Sequence, residues 1–108
     1  MKELMQEYEE GVRGMIEYPG SGILSKSISA DEMMIVDATL FCMAKDAKMS
    51  EHTSKKEGII YVIEGRGTFI LEGEKIGMHP GTMIHMDKDA VHSLNADENT
   101  SFILFLYG

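Results

Sequence analysis

From Gly22 to Tyr107 apolar and polar residues follow one another at a period close to two, the pattern of half-buried strands. Ile23-Leu24-Ser25-Lys26-Ser27-Ile28-Ser29 reads as a strand and Ala30-Asp31-Glu32 as a turn. Met34–Ala44 reads as a second strand and Lys45–Met49 as a loop. Gly58–Ile63 is β-branched and aromatic, and Glu64-Gly65-Arg66-Gly67 reads as a hairpin loop leading into Thr68–Leu71. Glu72-Gly73-Glu74 turns into a short strand, Lys75–Met78, and His79-Pro80-Gly81 turns again. Thr82–Met86 and Val91–Asn95 are further strands, and Thr100–Tyr107 is the last and most apolar. Many short strands punctuated by glycine indicate an all-β sandwich or barrel.

The period is helical only at the start, where Leu4, Met5 and Tyr8 share a face within Met1–Glu10. Gly11 and Gly14 follow, which keeps any helix short and dependent on a partner surface. Tyr18-Pro19-Gly20-Ser21-Gly22 is turn chemistry. The expected organisation is therefore an N-terminal arm over residues 1–21 and a barrel over residues 22–108. At 108 residues the chain has room for one hydrophobic core and little more. Eighteen Asp and Glu against ten Lys and Arg give a formal charge of −8, which disfavours nucleic acid and anionic membranes as partners. A single cysteine, Cys42, leaves no intrachain disulfide. With no secretory signal pattern and no membrane-length apolar run, the expected location is cytoplasmic.

Two segments resemble the paired motifs of the cupin family. The usual first motif is Gly, five residues, His-x-His, three or four residues, Glu, six residues, Gly. Gly65 closes it here, which sets Gly58 at the Glu position, His52 and Ser54 at the histidine positions and Asp46 at the opening Gly. The usual second motif is Gly, five residues, Pro-x-Gly, two residues, His, three residues, Asn. Gly81, Asp87, Asp89, His92 and Ala96 occupy those places, with Asn95 one position early. The spacing fits throughout, while His52, Gly65, Gly81 and His92 alone keep the expected identities. The resemblance covers Met34–Tyr107. It implies a cupin-type double-stranded β-helix, the jelly-roll barrel, of the short single-domain kind, with a depleted metal-ligand set.

Strand parity extends this picture. His52, Ser54 and Gly58 share the parity that the family uses for residues pointing into the barrel. Ile60 and Val62 then line the same interior, Glu57, Ile59 and Tyr61 face away, and Leu94 lies beside His92. The expected pocket presents two imidazoles, a hydroxyl, a glycine gap and an apolar wall. Full cupin sites use three His and one Glu. With His52 and His92 as the metal ligands, one divalent ion (zinc, nickel, iron or manganese) is expected to be weakly held. Glu57 supplies a carboxylate there only if a β-bulge near Lys55-Lys56 reverses its direction. His79 sits in a turn and is expected in solvent, and His85 has the parity opposite to Ile84 and Met86. Cys42, between Phe41 and Met43, is expected to be buried and inert. The methionines on strands, Met33, Met34, Met43, Met83 and Met86, read first as core filling.

Three functions compete: a small barrel binding a small molecule, with or without a metal; a metal-dependent oxygenase or isomerase using a two-His site; and a non-catalytic structural or regulatory dimer. The first is favoured, because the ligand set is depleted and the pocket wall is apolar. Association is expected in any case. Phe102, Leu104 and Leu106 point one way along the last strand, while Ile103, Phe105 and Tyr107 point the other. A barrel has one inside, so one of these rows needs another cover. The strand at Ile23–Ile28, backed by Leu4, Met5 and Tyr8, is the chain's own candidate, and a two-fold interface to which the last strand and the N-terminal arm contribute covers the rest. Light scattering at micromolar concentration should give twice the 12.0 kDa chain mass. A mass equal to that of one chain removes the dimer.

Overall fold

The computed structural model describes residues 11–28 and 36–108. Among these, nine strands follow one another: β1 (Ile23–Ser27), β2 (Asp37–Met43), β3 (Lys48–His52), β4 (Glu57–Glu64), β5 (Gly67–Leu71), β6 (Glu74–Met78), β7 (Met83–Met86), β8 (His92–Ala96) and β9 (Thr100–Tyr107). Every pairing is antiparallel. The order is β1-β2-β9-β4-β7 in a five-stranded sheet and β3-β8-β5-β6 in a four-stranded one. Apart from β1–β2 and β5–β6, which pair with each other, consecutive strands pass from sheet to sheet, the jelly-roll arrangement that the resemblance to cupins implies.

The core forms where the inward faces meet. Met43, Ile60, Val62, Ile84, Met86 and Phe102 come from the larger sheet, and Phe69, Met78, Leu94 and Ala96 from the smaller. Burying a side chain of this size is worth about 1.5–3 kcal/mol, so these residues dominate the stability. Phe41 adds a stacked ring on Phe102, with centroids 5.2 Å apart. On β4 the alternation is clean, with Gly58, Ile60 and Val62 buried and Glu57 and Tyr61 exposed.

Several expectations change. Lys48 and Met49, expected in a loop, open β3. That strand is largely exposed and shows no apolar alternation, so its existence rests on pairing with β8. Glu64–Gly67 is a crossover between the sheets and not a hairpin, because β4 pairs with β7 and β9 while β5 pairs with β6 and β8. Residues 11–15 are helical through both Gly11 and Gly14. β1 extends the sheet alongside β2, so it does not lie across β9 as a cover. The turn at Ala30–Glu32, the Leu4–Met5–Tyr8 face, and Met33 and Met34 lie outside the described residues.

The outer face of β2 is buried as well. Ala38, Leu40 and Cys42 face away from the inter-sheet core yet are 5, 0 and 0 % exposed. Tyr18 reaches this face: its hydroxyl donates to Glu64 Oε1 (2.7 Å) and lies 3.0 Å from Ser101 Oγ, on the residue that pairs with Cys42. Burial pushes the Tyr18 phenol above the ordinary tyrosine range, and Glu64 adds to the rise. Further across the same face, toward the edge strand β7, Tyr61 and Met83 pair and stand 40 and 66 % exposed.

The crossover after β4 is tightly specified. Gly65 has a φ of +99°, and a Cβ there would press on the Asn99 carbonyl and on Thr100. Thr100 Oγ1 accepts from Arg66 N (3.1 Å), and its one proton is shared between the carbonyls of Glu98 and Arg66 (2.8 and 3.0 Å). Asp97 N also donates to Arg66 O at 2.8 Å. Gly65→Ala should therefore lower the unfolding free energy by about 2–4 kcal/mol in urea denaturation, through left-handed strain plus overpacking. Gly77→Ala, where nothing lies within 4 Å of the added carbon, should change it by less than about 1 kcal/mol.

Candidate functional site

The site begins with an irregularity in β3. Lys48 pairs with Asn95 and Met49 with Leu94, but the next matched pair is His52 with His92. Three residues on β3 thus span two on β8, which is a β-bulge. Unbroken alternation would send Met49 and His52 to opposite faces. The extra residue turns His52 to the side that Leu94 and His92 share. The two rings meet edge to face, with centroids 4.1 Å apart and planes 62° apart.

Both imidazoles are held the same way. Nδ1 of His52 lies 2.7 Å from the Ser50 carbonyl and Nδ1 of His92 lies 3.0 Å from that of Ala90. A carbonyl only accepts, so each Nδ1 carries a proton, and in the neutral form of either ring Nε2 is the acceptor. This second-sphere arrangement is the usual one for metal-binding histidines. His92 is buried and stacks on Phe69, with centroids 5.8 Å apart and planes 10° apart. Burial lowers the His92 pKa below the ordinary imidazole value, against the Ala90 hydrogen bond, which raises it, and with the nearby His52, which lowers it further. The result is a neutral donor next to a solvent-facing one, since His52 is exposed.

Ser54 is half-buried in the β3–β4 loop, where its hydroxyl accepts from Lys56 N (3.2 Å) and its carbonyl from Asp89 N (2.8 Å). The second of these ties the loop to the one that precedes His92. Ile60, Val62 and Leu94 all belong to the buried core cluster. Gly58 is buried on the inward face of β4, and a Cβ placed there would lie 2.9 Å from the Met86 methyl and 3.2 Å from Leu106 Cδ2. A methionine thus fills the space beside Gly58, a use suited to its flexible side chain.

Glu57 faces outward, as parity expects, and supplies nothing to the histidine pair. With His85 and Asp87 it makes a second group of donors on the outer face of the larger sheet, all three exposed. The isolated strands carry the parity of Glu57 and His85 in the sequence. The pairing of Ile59 with His85, which brings them together, is a matter of register and could not be read there. His79 is exposed in its turn, and Cys42 is buried. An open groove of about 530 Å³ lies along β3, β5 and β8, lined by Lys48, Ser50, Ile70, Ser93 and Asn95 among others. No described helix is long and apolar enough to cross a membrane.

A family model for the cupin domain matches residues 39–107. Among solved structures, a cupin superfamily protein from Desulfitobacterium hafniense DCB-2 superposes with a TM-score of 0.79 at 16 % identity, covering 87 % of this chain and 84 % of that one. KdgF from Halomonas sp. gives 0.70 at 26 % identity, over 79 and 76 % of the two chains. A salicylate 1,2-dioxygenase from Pseudoaminobacter salicylatoxidans gives 0.74 at 16 % identity, over 95 % of this chain and 30 % of the larger enzyme. No curated protein sequence matches.

The lowered His92 pKa makes a signed prediction. The unfolded chain binds a proton at this residue near the ordinary value of about 6.5 while the folded chain does not. Its contribution is therefore intact above that value and is lost as pH falls from there toward the lower folded pKa. Urea denaturation at pH 7.5 and 5.5 should show wild type losing more stability than His92→Gln, with one group setting a ceiling of about 1.4 kcal/mol per pH unit. Equal losses in the two proteins would show that His92 is not held neutral.

Proposed function

The chain belongs to the cupin family, and from that premise we propose that it binds a small organic molecule at the His52–His92 end of its barrel, with a divalent metal held weakly there. The observation that carries this reading is the paired Nδ1–carbonyl lock on two imidazoles from adjacent strands with ring centroids 4.1 Å apart, which leaves Nε2 of each ring as the atom to meet a ligand. Such a pair takes a hydroxyl or amide donor of a ligand directly, or two positions of a transition-metal ion.

The donor set fits a metal only in part. His52 and His92 would hold the ion, Ser54 stands where the family places a further histidine, and Gly58 stands where it places a carboxylate. Two neutral donors without a carboxylate leave the ion's charge uncompensated, so affinity is low. A divalent ion bound there would supply Lewis acidity to a chelating ligand. The chain's own part is to orient the two rings, keep His92 neutral through burial against Phe69, and shield one side of the ligand with apolar core.

The same reading takes the protein as a homodimer. Its support is the outer face near β7, where the Tyr61–Met83 pair is exposed beside the half-buried Ile103 and Phe105. Covering this surface with a second copy removes apolar area from water with a single self-complementary patch.

Calorimetric titration with zinc or nickel tests the metal, in tag-free protein carrying His85→Ala so that the outer-face donors are silent. Binding should be weak and should lose at least about tenfold with His52→Ala or His92→Ala, as expected when a ligand of a small set is removed. Ser54→His with Gly58→Glu should tighten it, most of all when Met86→Ala makes room for the new carboxylate. Affinity unmoved by both histidine substitutions overturns the assignment. For the organic ligand, the ¹⁵N resonances of the His52 and His92 rings should shift with some members of a panel of small hydroxy acids, amides and phenols. A panel that moves neither ring overturns the small-molecule reading.

A further inference from the structure

The outer face of the β4–β7 pair carries a donor group separate from the histidine pair. Ile59 pairs with His85. Moving two residues outward along each strand therefore brings Glu57 and Asp87 onto the same face, beside the His85 ring. One ring nitrogen of His85 and one oxygen from each carboxylate lie mutually within 4.8 Å. The nearest approaches are His85 Nε2 to Glu57 Oε2 at 3.6 Å and His85 Nδ1 to Asp87 Oδ1 at 3.9 Å.

Those separations carry the argument. They are too long for hydrogen bonds, which close to about 2.7–3.2 Å, so the three side chains meet at ion-pair distance without hydrogen-bonding one another. Ligands at about 2.0–2.2 Å from a tetrahedral zinc ion lie roughly 3.4 Å apart. The two short approaches run to opposite ring nitrogens, only one of which would meet the ion. The three donor atoms, one from each residue, lie within 4.8 Å of one another and come to that spacing as the exposed side chains rotate. Two carboxylates placed across adjacent strands repel unless something positive comes between them, either a protonated His85 ring or a bound cation. The Lys56 ammonium, next in sequence to Glu57, pairs instead with Asp37 at 3.3 Å.

Tyr107 pairs with Glu57 across β4 and β9, so its side chain shares the outer face with the group. All three donors rise from paired backbone or its immediate continuation, so the group is pre-positioned by the sheet.

We propose that Glu57, His85 and Asp87 form an outer-face site for one borderline divalent cation of the zinc class, with the remaining coordination positions open to water. One imidazole and two carboxylates compensate the ion's charge, which the interior pair does not do. The ion clamps the edge strand β7 to β4 at the strand ends. Mg²⁺, which dehydrates reluctantly and prefers oxygen donors, is a poor occupant.

The full-length, tag-free protein at pH 7 is titrated calorimetrically with ZnCl₂, and its thermal midpoint is recorded with and without zinc. The expected result is one tighter site, apart from the weak interior one, whose affinity falls at least tenfold in His85→Ala and in Glu57→Gln and persists in the His52→Ala/His92→Ala double variant. Zinc should raise the midpoint of wild type and of the double variant, and clearly less in His85→Ala. The proposal is overturned if His85→Ala and Glu57→Gln bind zinc as wild type does, if all zinc binding disappears with His52 and His92, or if zinc at 100-fold excess over protein neither binds nor shifts the midpoint. Because the two pairs of variants report separately, loss of this site leaves the interior reading standing, and the reverse.

Discussion

The fold turns on a place where there is no room for a side chain. At Gly65 the chain leaves the larger sheet with a positive φ and passes against the Asn99 carbonyl and Thr100, so closely that one added carbon would collide with backbone. Thr100, fully buried, uses its hydroxyl to hold Arg66 at the crossover and Glu98 at the turn before β9. This knot joins the end of β4 to the start of β9, the central strand of its sheet. It thereby sends β5 into the opposite sheet, where Phe69 meets the inward rows of β4 and β9. Without the crossing, Glu64–Gly67 would be free to close a hairpin and Phe69 would lose its place in the core.

The histidine pair depends on that frame at one remove. Phe69, delivered by β5, supplies the surface against which His92 is stacked and desolvated. A neutral ring results, with its proton held on the Ala90 carbonyl side. His52 reaches the same place by another device, the extra residue in β3. Burial and a bulge thus produce two similar acceptors from unlike surroundings. Charge separates the interior from the outer face. Inward of β4 the space beside Gly58 is taken by a methionine methyl, whereas one residue earlier Glu57 turns to solvent and joins His85 and Asp87. Neighbouring positions of one strand therefore serve an apolar, neutral interior and an acidic exterior.

Strands β4 and β9 were legible because long β-branched and aromatic runs admit few alternatives, and parity then assigned Ile60 and Val62 inward and Glu57 and Tyr61 outward. The resemblance in motif spacing located His52 and His92 as a pair before any coordinates. β3 escaped notice because Lys48, Ser50 and Glu51 carry no alternation, and its partner β8 lies more than forty residues away in the chain. The hairpin expected at Glu64–Gly67 failed for a related reason. Two strands flanking a glycine turn are a local signal, and pairing with distant strands overrode it.

What the amino-acid order determined by itself was periodic or compositional: an all-β chain, the facing of each well-patterned residue, a buried cysteine and a strongly acidic surface. These follow from burial preferences that act residue by residue. What the tertiary structure alone decided was register. The bulge that turns His52 toward His92, the crossover at Gly65, the methionine that fills the space beside Gly58 and the meeting of Glu57 with His85 and Asp87 all arise between segments remote in sequence. Their cause is that a period of two says which face a residue takes but not which partner it faces, and the partner is chosen only when both sheets close on one core.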